Sequence, residues 1–434
     1  MEPEKRKTET EKLRLRTPER SQVELRMECP DDLVSEDHPV RMIWEVTGKL
    51  DLSRFYAEIR AREGQVGRNA TDPRLLVSLW LYAATQGVGS ARELARLCEQ
   101  HRDYLWLCGG VSLNYHTLSD FRVDHGLALD ELLTQLIAVL VDRDLVQVWR
   151  ISQDGTRVRA FAGSSSYRSR GRLQELHKQA TAHMKELRKQ LEDPGLSAQL
   201  SARQRAARER AAREREQRIQ KALERLPELE SSPRHISAQQ KALWREKIRV
   251  STTDSQASVM KMGDGGFRPA YNVQLASDPK SRAIVGVQIS NRGVDTGQSE
   301  PMRQQVEQRS GHKVREHLLD GGYLNLEEIE RSEPEVVLYV PPKPPKNGEK
   351  RSNPYEPRPQ DSPAVAAWRR RMGSAQGKEI YKLRASTSET VNADLKSYRG
   401  LGRLTVRGLE KVRCVVLWSA LAYNLLHFGS TLLG

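Results

Sequence analysis

The spacing of hydrophobic positions changes along the chain, and each change marks a different kind of element. Over residues 40–145 apolar side chains recur at three and four, the helical period, with breaks at 64–72, 87–89 and 109–114. Asp72-Pro73 opens a helix whose Leu75, Leu76, Leu79, Trp80 and Ala83 form one strongly apolar face. Ser90-Ala-Arg-Glu93 matches a capping box, and Thr117-Leu-Ser-Asp120 marks another helix start. Three short helices with tight connections fit a helix-turn-helix that lays one helix in a major groove; a helical bundle that pairs subunits explains the pattern equally well.

At residues 145–154 the period shifts toward two, with Val146, Val148 and Ile151 among polar neighbours, which predicts the first strand of a new domain. From 171 to 192 the positions Leu173, Leu176, Ala180, Met184, Leu187 and Leu191 return to helical spacing, as a hairpin or coiled-coil arm requires, and Asp193-Pro194-Gly195 predicts the reversal. The return segment, 201–225, holds nine Lys/Arg against four Glu among alanines, a solvated helix or a basic arm for a DNA backbone. Pro227 and Pro233 are expected to end it, and a shorter helix over 238–249 leads back.

Strand patterns resume at 271–276 and 284–289, joined through Ser277-Asp278-Pro279. A helix over 297–309, a strand ending at Asp320, a helix over 326–331 and a strand over 336–340 follow. A Pro-rich basic loop, 341–363, cannot pair in a sheet and precedes a helix over 380–399. The expected division is a flexible arm (1–35), an all-helical domain (36–144) and a mixed α/β domain (145–434) with a helical insertion at 168–250.

Charge changes the picture by naming a partner. With 71 Lys+Arg against 57 Asp+Glu the chain carries +14, which suits a polyanion such as nucleic acid. Cys29, Cys98, Cys108 and Cys414 are scattered without a Cys-x-x-Cys pair, so neither a zinc ribbon nor a disulfide framework is indicated. The first residues are charged and lack a signal-peptide core, and 414–434, though apolar, is punctuated by Ser419, Asn424, Ser430 and Thr431. A cytoplasmic, nucleoid-associated protein with no membrane span is expected.

Three acidic residues sit inside local signatures: Asp154 in Ile151-Ser-Gln-Asp-Gly-Thr-Arg-Val158, Asp320 in His317-Leu-Leu-Asp-Gly-Gly-Tyr323, and Glu389 in the helix that starts with Tyr381-Lys-Leu-Arg384. The first two close apolar stretches and precede Gly, so each is expected where a strand ends and the chain turns. Converging carboxylates repel unless divalent cations neutralise them. Taken singly, Asp-Gly is an ordinary turn dipeptide, and Glu389 an ordinary helix residue. Asp254 and Asp295 are read as caps of a helix or turn, and Trp368 before three arginines either stacks on a base or anchors the loop to the body.

The order of elements and motifs resembles the DDE transposases of bacterial insertion sequences, those with a helical N-terminal domain and a Tyr-Arg-Glu-Lys signature. Asp72-Pro-Arg-Leu-Leu76, Gly87-Val-Gly-Ser-Ala-Arg-Glu93 and Tyr115-His-Thr-Leu-Ser-Asp-Phe-Arg122 carry the likeness in the first part; Asp154-Gly-Thr, Tyr271-Asn-Val-Gln274, Asp320-Gly-Gly-Tyr323 and the 381–396 stretch carry it in the second. The resemblance implies an RNase H-like mixed five-stranded sheet flanked by helices, with the coiled-coil-like insertion. It implies metal binding and catalysis by Asp154, Asp320 and Glu389, phosphate contacts from Tyr381, Arg384 and Lys396, and two Mg2+ ions, or Mn2+, as cofactor. Double-stranded DNA, as terminal inverted repeats and target, and a second subunit of a homodimer are the implied partners. An inactive DNA-binding derivative and an RNase H-like nuclease that cuts without joining are the alternatives. Two departures stand out: four residues rather than three separate Arg384 from Glu389, and Asn392 stands where relatives carry an aromatic expected to pack against the core.

Overall fold

The computed structural model describes residues 21, 23, 27, 29–61, 69–193, 201–231, 237–344 and 353–433. Most of the expected N-terminal arm, the turn proline and glycine at 194 and 195, and Pro233 lie outside these residues. In chain order the helices begin with α1 (Pro39–Lys49), α2 (Ser53–Ala57), α3 (Pro73–Thr85), α4 (Ala91–Gln100), α5 (Arg102–Cys108), α6 (Tyr115–Asp124) and α7 (Gly126–Asp142). Then come β1 (Arg150–Arg159), β2 (Tyr167–Arg168), α8 (Arg170–Glu192), α9 (Ala202–Glu230), α10 (Ala238–Lys247), β3 (Val250–Ser251), β4 (Ser258–Lys261), β5 (Phe267–Ser277) and β6 (Ile284–Ser290). The last are α11 (Ser299–Ser310), β7 (Glu316–Leu318), α12 (Leu326–Ser332), β8 (Val337–Tyr339), α13 (Pro363–Gly373), α14 (Ala375–Ser397) and α15 (Leu409–Leu433).

Helix α3 starts as its sequence dictates: the Asp72 carboxylate accepts the Arg74 amide at 2.8 Å and Pro73 fills the first turn, where no amide is needed. It is buried on all sides rather than along one stripe, because α1, α5, α6 and α15 pack around it. Helix α15 plays the same part for the molecule as a whole. It packs on α1, α3, α6, α7 and β6, so one hydrophobic core runs from Val40 through the sheet to Leu432. By length and composition α15 could cross a membrane, yet its apolar stretch is mostly buried in this core.

Six strands form the main sheet, in the order β4-β5-β1-β7-β8 with β6 also paired to β5. Five were expected; the sixth, β4, escaped because its four residues alternate poorly and run into the glycines at 263, 265 and 266. β1 is antiparallel to β5 and parallel to β7, giving the mixed α/β arrangement. β6 meets α15 through Asn424, whose amide accepts from the Ile284 amide at 2.9 Å and donates to the Ile284 carbonyl at 2.9 Å. A side chain thus completes backbone pairing that the sheet leaves open at that point.

The insertion leaves and re-enters the body through the short antiparallel pair β2–β3. Leu173, Ala180, Met184 and Leu187 of α8 and Ala212, Ile219, Ala222 and Leu226 of α9 are buried in the helical pair, as the spacing predicted for α8. α9 continues through Pro227 to Glu230 instead of ending there.

Candidate active site

Strand register explains how two motifs far apart in sequence become neighbours. Ser152 on β1 pairs with Leu318 on the parallel β7, so positions two further along, Asp154 and Asp320, stand at the same height on adjacent chains. Asp154 is not at a strand end, since β1 continues to Arg159. Asp320 lies two residues beyond the end of β7, where its Oδ1 accepts the Gly322 amide at 2.7 Å and caps a one-turn 3-10 helix.

Side chains alternate along β1, so Ser152 and Asp154 share a face. Helix α14 lies on that face, locked by the buried contact of 2.8 Å between the Ser152 and Ser388 hydroxyls. Arg384 donates to Asp154 Oδ1 at 3.0 Å and stands 3.8 Å from Asp320 Oδ2, so one guanidinium serves two carboxylates. Asn392 donates to the second oxygen, Asp154 Oδ2, at 2.9 Å.

The electrostatics follow from burial. Burial pushes the Asp154 carboxyl above its ordinary value, Arg384 works against this, and Asp320 adds to it. Burial disfavours the Arg384 charge, but Asp154, Tyr381 and Asp320 outweigh it and its pKa is raised. Burial lowers the Lys396 ammonium, which Asp154 partly offsets, and raises the Tyr381 phenol. Asp320, Tyr381, Arg384 and Lys396 therefore form one group around Asp154, each interacting with its charge.

Glu389 stands apart from it. Its side chain is exposed and has no hydrogen bond or ion pair, and among the described residues no three His, Cys, Asp or Glu side chains are grouped to hold a metal ion. At roughly 100° per residue, Glu389 is about 60° around the helix from Asn392 and about 20° from Lys396, which puts it on the solvent rim. The centre facing Asp154 is taken by Asn392 and Arg384. Asn392 therefore packs toward a carboxylate and not, as its place in the signature suggested, into the apolar core.

Beneath β1 lies a second acidic residue. Asp295 is buried and accepts Asn272 Nδ2 and Gln274 Nε2 at 2.7 Å each and Arg157 Nη2 at 2.9 Å, so it is no simple cap. A Cβ on Gly155 would fall 2.3 Å from Asp295 Oδ1, and one on Gly322 would fall 3.3 Å from Asp295 Oδ2. Gly155 thus makes room for Asp295 rather than for a turn after Asp154, whereas a Cβ on Gly322 would first meet the Asp320 carboxylate, at 2.9 Å. The available signal was Asn272 and Gln274, polar residues at period two in a strand buried along most of its length. Asp254, by contrast, does shape a turn, and its carboxylate also accepts the Tyr271 hydroxyl at 2.8 Å.

Trp368 is fully buried and donates to the Val340 carbonyl at 3.0 Å, which anchors the loop and removes the ring from any base. Arg369 pairs with Asp361 at 2.6 Å and Arg371 with Glu333 at 2.5 Å, leaving only Arg370 exposed. An open concavity elsewhere is lined by Arg218, Lys221, Arg225 and Arg407 together with Glu224, Glu228 and Asp254, and Arg225 pairs with Glu228. The Arg407 Nε is buried without a partner, and burial and then Arg218 lower its pKa.

The donor set at Asp154 and Asp320 fits a hard divalent cation. Two carboxylates of adjacent strands share one cationic neighbour, and the buried Asn392 Oδ1 beside them has no partner. Carboxylate and amide oxygens suit Mg2+ or Mn2+; no thiol is part of the group.

Comparison with known families adds two matches. A family model described as a transposase domain (DUF772) matches residues 28–124, and one described as a transposase DDE domain matches residues 345–428. The second span includes Tyr381, Arg384, Glu389, Asn392 and Lys396. Neither the curated proteins nor the solved structures gave a match. The chain is thus similar to a transposase domain near one end and to a transposase DDE domain near the other.

Proposed function

We propose that the chain is an insertion-sequence DDE transposase that binds the ends of its element, as a dimer, and catalyses metal-dependent strand cleavage followed by 3′-hydroxyl strand transfer. The observation that supports the reading is Arg384 set against two carboxylates at once, 3.0 Å from Asp154 and 3.8 Å from Asp320, which the parallel β1–β7 register brings close. Asp154, Asp320 and Glu389 are the proposed acidic residues, with Glu389 entering from the rim of α14. A bound divalent pair would supply a Lewis acid for the attacking and leaving oxygens.

The chain's own residues do the rest. Arg384, already between the carboxylates, has the planar fork that matches a phosphate and lies where a scissile phosphate would approach Asp154. Lys396 offers a point charge and Tyr381 a hydroxyl from the same helix. Arg218, Lys221 and Arg407, in the open concavity, are suited to grip a backbone away from the reacting bond.

The test is strand transfer with Mg2+ and DNA bearing the element's terminal repeats. Cleavage and joining should fall on the order of a hundredfold or more in Asp154→Ala, Asp320→Ala and Glu389→Ala, since each removes a charge held for the transition state. Cutting without joining by the wild type would mark a nuclease. The solvent-facing Glu389 favours a second reading, a DNA-binding derivative without catalysis; binding without cutting by the wild type would establish it.

A further inference from the structure

Asn392 is 91% buried, at 9% exposure, on the face of α14 that meets β1. Its Nδ2 donates to Asp154 Oδ2 at 2.9 Å, while its Oδ1 is buried with no partner. A buried amide oxygen without a donor is a departure from ordinary packing that calls for a reason. Other partnerless oxygens nearby, on Gln153 and Asn272, belong to side chains on the opposite face of β1, where Asp295 already has three donors. On the Asp154 face it is Asn392 that carries the spare oxygen, on an amide whose nitrogen is 2.9 Å from Asp154 Oδ2.

We propose that Asn392 is an oxygen ligand of the divalent cation held at Asp154 and Asp320. The inference rests on the metal-dependent reading above and assigns to α14 a ligand other than Glu389. An amide suits the place because its two ends are alike in shape and opposite in character. The NH2 end faces Asp154 when the carboxylate stands as a bare acceptor, and the carbonyl end is the one that a cation prefers. A neutral ligand also adds no repulsion to two carboxylates that already need Arg384 between them.

The experiment is calorimetric titration of the full chain with Mn2+, alongside thermal unfolding in metal-free buffer. Asn392→Leu should weaken Mn2+ binding by about tenfold or more, the loss expected when a group that supports a metal site is removed, with no fall in the metal-free Tm. Asn392→Asp should bind Mn2+ more tightly than the wild type. Unchanged affinity in a folded Asn392→Leu overturns the proposal; if that variant does not fold, unchanged or weaker binding in Asn392→Asp overturns it instead. Wild-type binding that Asp154→Asn leaves intact would remove the metal site itself, and this ligand with it, which separates failure of the site from failure of Asn392 alone.

Discussion

The two faces of β1 around Asp154 and Gly155 each carry a carboxylate, half-buried above and buried below, and the two are balanced in different ways. Below the strand, Asp295 receives three donors from Asn272, Gln274 and Arg157, and the chain gives up a Cβ at Gly155 to admit it. Above it, Asp154 shares one guanidinium with Asp320 and accepts one amide, from Asn392; the donating asparagine leaves its own oxygen without a partner on both faces, Asn272 below and Asn392 above. A carboxylate with its donors complete holds a structure together. One that shares its only cationic partner with a second carboxylate leaves negative charge that a further cation can neutralise.

The sharpest way to break this contrast is to remove the lower carboxylate. Asp295→Ala leaves the Asn272 and Gln274 amides without an acceptor and Arg157 without its ion-pair partner, and should cost about 3 kcal/mol or more in denaturant unfolding. A loss under about 1 kcal/mol would mean that the lower face is as loosely built as the upper.

Asparagines extend the comparison. Asn424 uses both ends of its amide on Ile284, whereas Asn392 uses one. Asn424→Ala orphans a buried amide and a buried carbonyl, so about 2–4 kcal/mol of stability should be lost on urea unfolding. A neutral result would show that water reaches the start of β6.

Much of this was legible in the sequence, for physical reasons that can be named. Helical periodicity found α8, and Asp72-Pro73 marked the start of α3, because capping and apolar spacing act over a few residues. The order of strands around Asp154 and Asp320 was legible too. Asp295 was not, because its donors come from β1 and β5 and only the sheet register brings them to it. Gly155 was misread for the same reason: a local rule made it a turn, while a contact from a distant loop explains its missing side chain. The facing of α14 was out of reach as well, since Ser388 and Asn392 differ from Glu389 only in rotation about the helix axis, and the Ser152–Ser388 contact sets that rotation.

His317, three residues before Asp320, gives a pH test of how closed the sheet interior is. It is fully buried, neither ring nitrogen has a partner, and burial followed by Arg303 depresses its pKa to about 3. For a base whose folded pKa lies below the ordinary value of 6.5, the unfolded chain takes up the proton first. Stability should therefore be full above that value and fall as pH drops toward about 3. The slope contributed by this residue is at most about 1.4 kcal/mol per pH unit. His317→Leu should flatten that slope; an unchanged acid limb would show that other groups set it.

The smallest expected effect is the most telling. Asp154→Asn removes the upper carboxylate but keeps its shape, and the new amide can still accept from Arg384 or from Asn392. Burial raises the pKa of Asp154, so the folded protein holds that charge less readily than water does. By linkage, the folded state favours its proton, and wild-type stability declines as pH rises through the window above the ordinary carboxylate value of 3.8. Replacing the charge with an amide removes that decline, and the stability at neutral pH should change by less than about 1 kcal/mol. The wild type should gain Tm on addition of Mn2+ because a ligand of the folded state alone stabilises it, and Asp154→Asn should not. If the variant instead lost as much stability as Asp295→Ala, with Arg384 and Asp320 left in place, Asp154 would be a structural ion pair and the difference between the two faces would vanish.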